Sequence, residues 1–435
     1  MTPVRPFVAR YKTLIGNVGA RIAALTSLGL ATFLLARTGG PAAVGVYALL
    51  RVLPALVGVM LSSGLPGAIP YFLSVERRED RRLPLTVVAM ALAGGTAGAA
   101  LWAACSPWFG RVLFADLSQG LLLLSGAIVV TQVIVVTAKS CSQGGADMPG
   151  ANRVIFTEQF MFLPAYGLIW AAGGRGYTAL IAGLLVGDVA TSLFAWGRLV
   201  RRGFFRGAAG PSLDLARGIA SYGLRAQVGG VISLLNLRLD FILIGVLASP
   251  AVLGVYAIAS KFAELIKIPT MAFTYVLYPR FASDRPPQAA LRSRRLIPRA
   301  GLLTAGIIVP LWFCAFLIPV VYGASFRAAI GPAQIILIGL MLDGVAGVIT
   351  GFLYGVGRPG LNSCAVGAGL VATLILDLLL IPRFGAVGAA IASAVAYVTS
   401  ALALAWSFWW VCRSRPGSGF GDSALDGALA RADTQ

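Results

Sequence analysis

Six basic residues stand inside apolar runs of this chain: Arg21, Arg51, Arg225, Arg238, Lys261 and Lys267. The acids in or near such runs are Glu158, Asp188, Asp240, Glu264, Asp343 and Asp377. A charge at the centre of a membrane span costs about 2.5–3.5 kcal/mol on insertion scales, so it normally faces a bundle interior or a water-filled cavity. Asn17 and Arg21 are four apart, as are Tyr47 and Arg51, so each pair shares one helix face. Arg225, Gly229, Ser233, Asn236 and Asp240 recur at spacings of four, four, three and four, which makes a polar stripe suited to a cavity wall.

Two chemistries follow from these residues. Arg21, Arg51, Arg225 and Lys261, with Asn17 and Tyr47 beside them, make a cationic lumen that suits an anion. Arg21 and Arg51 carry most weight, because few acids in the N-terminal half are there to neutralise them. Asp240, Thr373, Asp377 and Ser393 form a second set, whose carboxylate and hydroxyl oxygens suit a hard cation such as Na⁺ or the uptake of a proton. Thr373 lies one turn before Asp377, which stands five residues before Pro382 and is also placed to snorkel or to pair with Arg383. Lys261, Glu264 and Lys267 are three apart, so they either pair among themselves or meet a ligand. Arginine outnumbers lysine 31 to 4 in a chain rich in Ala, Gly and Val, so codon bias accounts for the residue type and only its position carries meaning.

The elements that hold these residues must be membrane helices. Of 435 residues, 58% are apolar and only 12% charged, and the mean hydropathy is +0.85; soluble domains are roughly 45–50% apolar and 25% charged. Apolar runs cover 14–36, 42–73, 84–106, 118–138, 154–173, 177–197, 219–247, 251–278, 300–321, 332–356, 361–381 and 386–411. Twelve transmembrane helices are therefore expected in an all-α polytopic membrane protein. Connections on the side of both termini carry 24 Lys and Arg, and those on the opposite side carry five. The positive-inside rule makes both termini cytoplasmic, so the net charge of +19 labels topology and nucleic acid is not an expected partner. The first run is of full span length, which fits an uncleaved helix better than a signal peptide. Residues 413–435 are expected to form a disordered cytoplasmic tail.

Absences narrow the function. Without histidine, with five scattered cysteines and with no Walker lysine, the chain offers neither a zinc site nor an ATPase loop. No connection is long enough for a soluble catalytic domain, so no enzyme and no cofactor beyond a coupling Na⁺ or H⁺ are expected. The chain also repeats itself. At an offset of 209, Pro41, Ala42, Gly45, Val46, Tyr47 and Ala48 match Pro250, Ala251, Gly254, Val255, Tyr256 and Ala257. Pro149, Gly150 and Asn152 meet Pro359, Gly360 and Asn362 at 210, as do Ala195 and Trp196 with Ala405 and Trp406. Two pseudo-symmetric six-helix lobes, 1–209 and 210–412, are expected, in the parallel-repeat arrangement used by alternating-access carriers.

Several motifs are also familiar. The segment from Arg37 through Gly45, Tyr47, Gly64 and Pro70 resembles the opening of Wzx-type polysaccharide and oligosaccharide flippases. These belong to the multidrug/oligosaccharidyl-lipid/polysaccharide (MOP) exporter superfamily. Gly355-Val-Gly-Arg358-Pro359, and Asp377 to Pro382 continuing through Gly385 and Gly388 to Ala392, resemble the C-terminal region of those flippases. The resemblance covers about residues 10–412 and implies a MATE-like pair of lobes. It also implies transfer of undecaprenyl-diphosphate-linked oligosaccharide from the cytoplasmic to the periplasmic leaflet of a bacterial inner membrane. Polysaccharide polymerase and glycosyltransferases are the implied partners. It places Arg21 and Arg51 where relatives keep lumen arginines, and Asp240, Thr373, Asp377 and Ser393 in helices that carry a sodium site in a related flippase.

Two other classes compete with a flippase. A drug or organic-cation exporter of the same architecture would present carboxylates, for which Glu158 and Asp188 are candidates. A membrane glycosyltransferase or polymerase would need a large extramembrane loop or a catalytic cluster at the interface, and the sequence offers neither.

Overall fold

The computed structural model describes residues 5–74, 80–145, 147–284 and 286–413. Among them every expected apolar run is helical and no strand occurs. The helices are α1 (Arg5–Leu61), α2 (Leu65–Ser74), α3 (Leu83–Val112), α4 (Gln119–Gly144), α5 (Met148–Phe160), α6 (Phe162–Ala171), α7 (Gly176–Arg201), α8 (Leu213–Leu247), α9 (Pro250–Ala263), α10 (Lys267–Ser283), α11 (Pro286–Cys314), α12 (Ile318–Tyr322), α13 (Ile330–Gly339), α14 (Asp343–Gly355) and α15 (Pro359–Arg413). Residues 414–435, where a disordered tail is expected, lie outside the described residues.

Among the described residues, eight stretches are long and apolar enough to cross a membrane: Ile22–Leu61, Leu83–Val112, Gln119–Gly144, Met148–Ala171, Gly176–Arg201, Pro287–Tyr322, Ala324–Gly355 and Pro359–Arg413. The last contains two of the twelve expected runs, joined without a loop, and the first joins parts of two, 14–36 and 42–73, the second of which is broken by a turn at 62–64 before α2. Inside α1 the break is Gly40, with φ 68°, followed by Pro41. Glycine accepts the left-handed angle, and the fixed φ of proline then suits the first turn of a new helical segment. Inside α15 the break is Gly385, with φ 53°. The runs 219–247 and 251–278 are helical in α8 and in α9 with α10, although side chains of several of their residues are not described.

The described residues form two compact units, one within 1–259, 316–332 and 377–389 and one within 260–315, 333–376 and 390–413. In the first, α3 and α7 pack on α4, α5 on α1, and α6 on α7. A core there runs from Leu65, Ile69 and Phe72 through Val87 and Val154 to Leu199 and Ile219. In the second unit α10 and α11 pack on α14 around Phe281, Phe352, Leu353 and Phe408. Small residues permit these approaches. A Cβ on Gly94 would stand 2.7 Å from the Leu61 carbonyl oxygen, and one on Gly187 would stand 3.0 Å from the Phe162 nitrogen.

One ion-pair knot fixes the basic end of α7 to the start of α5. Asp147 is buried and caps α5 through the Gly150 N–H at 3.0 Å. It also accepts two bonds at 2.9 and 3.1 Å from the Arg198 Nη2 and one at 3.1 Å from the Nε, and it pairs with Arg202 at 3.0 Å. Removing the acid leaves a partly buried guanidinium and a helix end unsatisfied. Asp147→Ala is expected to cost about 3 kcal/mol, read as a lowered unfolding midpoint in detergent, and Asp147→Asn, which keeps the cap, less.

Candidate functional site

The polar centre of the first unit is built on Arg51 of α1. Its Nη1 donates to Asp188 Oδ1 of α7 at 3.4 Å and its Nη2 to Gln159 Oε1 of α5 at 3.3 Å. Thr131 of α4 donates its hydroxyl to the other Asp188 oxygen at 3.3 Å. Beside them Lys139 of α4 pairs with Glu158 of α5 at 3.3 Å. Four helices thus converge on two basic and two acidic groups, with the Asp188 side chain 5% exposed and the Arg51 side chain 15%. Such a cluster survives in an apolar body because each charge has an opposite neighbour.

This changes the sequence expectation for Arg51. The N-terminal half does not lack neutralising acids, because the fold brings Asp188 from 137 positions away onto the guanidinium. Tyr47, which shares the Arg51 face, is buried, and its ring lies 4.8 Å from the Phe162 ring. Gln159 and Thr131 were not anticipated, and the only sequence signal for them is polar residues inside two apolar runs. Asn17 and Arg21 lie on α1, but their side chains lie outside the described residues, as do those of Ser233 and Asn236 on the α8 stripe. At the ends of that stripe Arg225 is exposed and Asp240 half-buried.

In the second unit the internal pairing open to Lys261 is realised, with Glu264 at 3.2 Å. Lys267 meets the Tyr397 hydroxyl at 3.2 Å and lies 4.5 Å from the centre of that ring. Thr270 donates its hydroxyl to Asp343. Each unit therefore holds a compact polar cluster of its own.

The acidic set is distributed otherwise. In the first unit Tyr256 donates its hydroxyl to Asp240 Oδ2 at 2.6 Å. Asp377 is 0% exposed, so it does not snorkel. Neither of its carboxylate oxygens has a hydrogen-bond partner among the described residues, so the pairing with Arg383 is not made. Asp240 is the charge that acts on it. In the second unit Thr373 is half-buried one turn earlier on α15, and Ser393 is buried. A buried carboxylate with two orphan oxygens is a fitting ligand for a hard cation or a proton.

The family profile described as polysaccharide biosynthesis protein matches residues 34–331. The chain belongs to that family. Among proteins similar to this member is the probable low-salt glycan biosynthesis flippase Agl15 of Haloferax volcanii, 24% identical over 401 residues, which are 89% of this chain and 80% of that protein. Among solved structures, lipid II flippase MurJ in an inward closed conformation superposes with a TM-score of 0.73 at 14% identity, covering 92% of this chain and 90% of that one. A multidrug resistance MATE family transporter of the MOP superfamily, inward-facing, gives 0.72 at 15% identity, covering 91% and 96%. The fold is thus that of MOP-superfamily membrane proteins, a two-lobe helical body.

Proposed function

We propose that this family member is a flippase for lipid-diphosphate-linked oligosaccharides, moving them by alternating access from the cytoplasmic to the outer leaflet for surface polysaccharide assembly. The carrier lipid in this proposal is undecaprenyl, the membrane is the bacterial inner membrane, and both termini are cytoplasmic. The two six-helix lobes are 1–209 and 210–412. Polymerase and glycosyltransferases are the proposed neighbours in the pathway, and the protein itself transports without making or breaking bonds. The observation that carries this function is Arg51, a guanidinium held deep in an apolar body with two of its five donors bonded among the described residues, in a chain of this family. Arg presents five N–H donors in a fork that matches phosphate oxygens.

The membrane potential supports the direction. Two negative charges leaving through an inside-negative potential gain about 4.6 kcal/mol per 100 mV when the whole field is crossed. Na⁺ or H⁺ at Asp240, Thr373, Asp377 and Ser393 is the proposed coupled ion. Arg225 and Lys261, with Asn17, Tyr47 and Arg21, complete the proposed lumen.

The test is reconstitution in liposomes with a labelled lipid-diphosphate sugar, its leaflet read by accessibility to an added enzyme. Arg51→Gln is expected to slow transfer at least about ten-fold, the equivalent of 1.4 kcal/mol, while the protein still inserts. An unchanged rate would remove Arg51 from the lumen. The second reading, a cation exporter, draws on the buried Asp188 and Glu158; dye efflux by this chain together with no lipid transfer would establish it instead.

A further inference from the structure

Asp188 has a part of its own in the transport cycle. Resting on the lipid-diphosphate reading above, we infer that Asp188 is a built-in competitor: it neutralises Arg51 when the carrier is empty and yields that guanidinium to the substrate's diphosphate.

The geometry of the pair is that of a contact made to be exchanged. A guanidinium committed to a carboxylate binds it with two parallel bonds at about 2.7–2.9 Å. Arg198 and Asp147 at the end of α7 approach that form, with contacts of 2.9 to 3.1 Å. Arg51 reaches Asp188 through one contact at 3.4 Å and spends its second bond on the neutral amide of Gln159. Three of its five donors carry no described bond.

The surroundings let Asp188 give way. Thr131 holds the second carboxylate oxygen from α4, so the acid keeps one partner when the guanidinium turns elsewhere. Glu158 has its own base in Lys139, and its charge also acts on Arg51 and on Asp188 without touching either. Among the described residues, Tyr47 of α1 is a further titratable group that acts on the pair. Asp188 is thus the carboxylate that Arg51 contacts in this structure. A lumen cation without such a partner would hold a dianion so tightly that release at the outer face became slow, and would leave an unpaired buried charge on the return leg.

The experiment measures equilibrium binding and transfer of a short-chain polyprenyl diphosphate sugar, a diester whose two phosphates stay ionised, by the purified full chain. Asp188→Asn keeps the shape and removes the competing charge. It is expected to lower the Kd at least five-fold and, at saturating ligand, to lower the transfer rate, because release becomes limiting. Asp188→Glu, which restores the charge, is expected to return both values toward the wild type. Asp188→Ser serves as a second neutral variant, and thermal unfolding confirms which variants are folded. A Kd that is unchanged or weaker in the folded neutral variants overturns the exchange while leaving the lipid-diphosphate substrate intact. Absence of any binding by the wild type overturns the substrate and the exchange together.

Discussion

Gly45→Val should slow transport more than about ten-fold, and Gly254→Val should do so to the same degree. A Cβ on Gly45 would overlap the Pro250 carbonyl oxygen and lie 2.7 Å from its carbon. A Cβ on Gly254 would overlap the Pro41 carbonyl oxygen and lie 2.7 Å from that carbon. These are the two copies of the duplicated Pro-Ala-x-x-Gly-Val-Tyr-Ala motif, packed on each other so that each glycine receives the proline of its counterpart. Reciprocity of this kind is what a two-fold axis between like surfaces produces. The obstacle is backbone, so no rotamer change relieves it, and overpacking costs of about 1–3 kcal/mol apply at the least. Each single variant should therefore lose about 2 kcal/mol and transfer lipid more than ten-fold more slowly. Both glycines serve one contact, so the double variant should be scarcely worse than either single one. Independent, additive losses in the transfer assay would show that the two glycines do not share a seam.

That seam marks how far the sequence reaches. Helices were legible because apolar runs of span length have one solution in a bilayer, and the duplication was legible because Pro, Tyr and Trp repeat in register. The contact between the two motif copies was not, since an offset says that two segments are alike and nothing about whether they touch. Arg51 shows the same limit. Its depth in an apolar run was plain, but its partner lies on α7, and only the packing of α1, α4, α5 and α7 brings the acid within 3.4 Å. Lys261 with Glu264 was open to a sequence reading because a helix alone sets that spacing. Asp377 ran the other way. Pro382 and Arg383 nearby suggested an interfacial carboxylate, whereas the fold leaves it without exposure and, among the described residues, without a hydrogen bond.

Asp377→Asn should leave the ion-free protein at least as stable as its parent and abolish its response to the coupled ion. An ionised carboxylate taken from water with neither oxygen bonded costs several kcal/mol, and the Asp240 charge adds repulsion. The amide is nearly isosteric and bears no charge, so the substitution removes that cost while keeping the packing. Wild-type protein should gain unfolding temperature with Na⁺, by an amount that follows ligand linkage and reaches about 2.7 kcal/mol at a hundred times the Kd. The Asn variant should be flat in Na⁺, with K⁺ as the control for ionic strength. Where the coupled ion is a proton, Na⁺ leaves both proteins alone and a pH gradient drives transfer in the wild type only. Asp240→Asn separates the two acids. Its side-chain oxygen still accepts from Tyr256, so it should keep the fold and weaken the ion response without erasing it. A Na⁺ or pH response that survives Asp377→Asn intact would move the coupling site elsewhere, and the orphan carboxylate would then be a cost without a use.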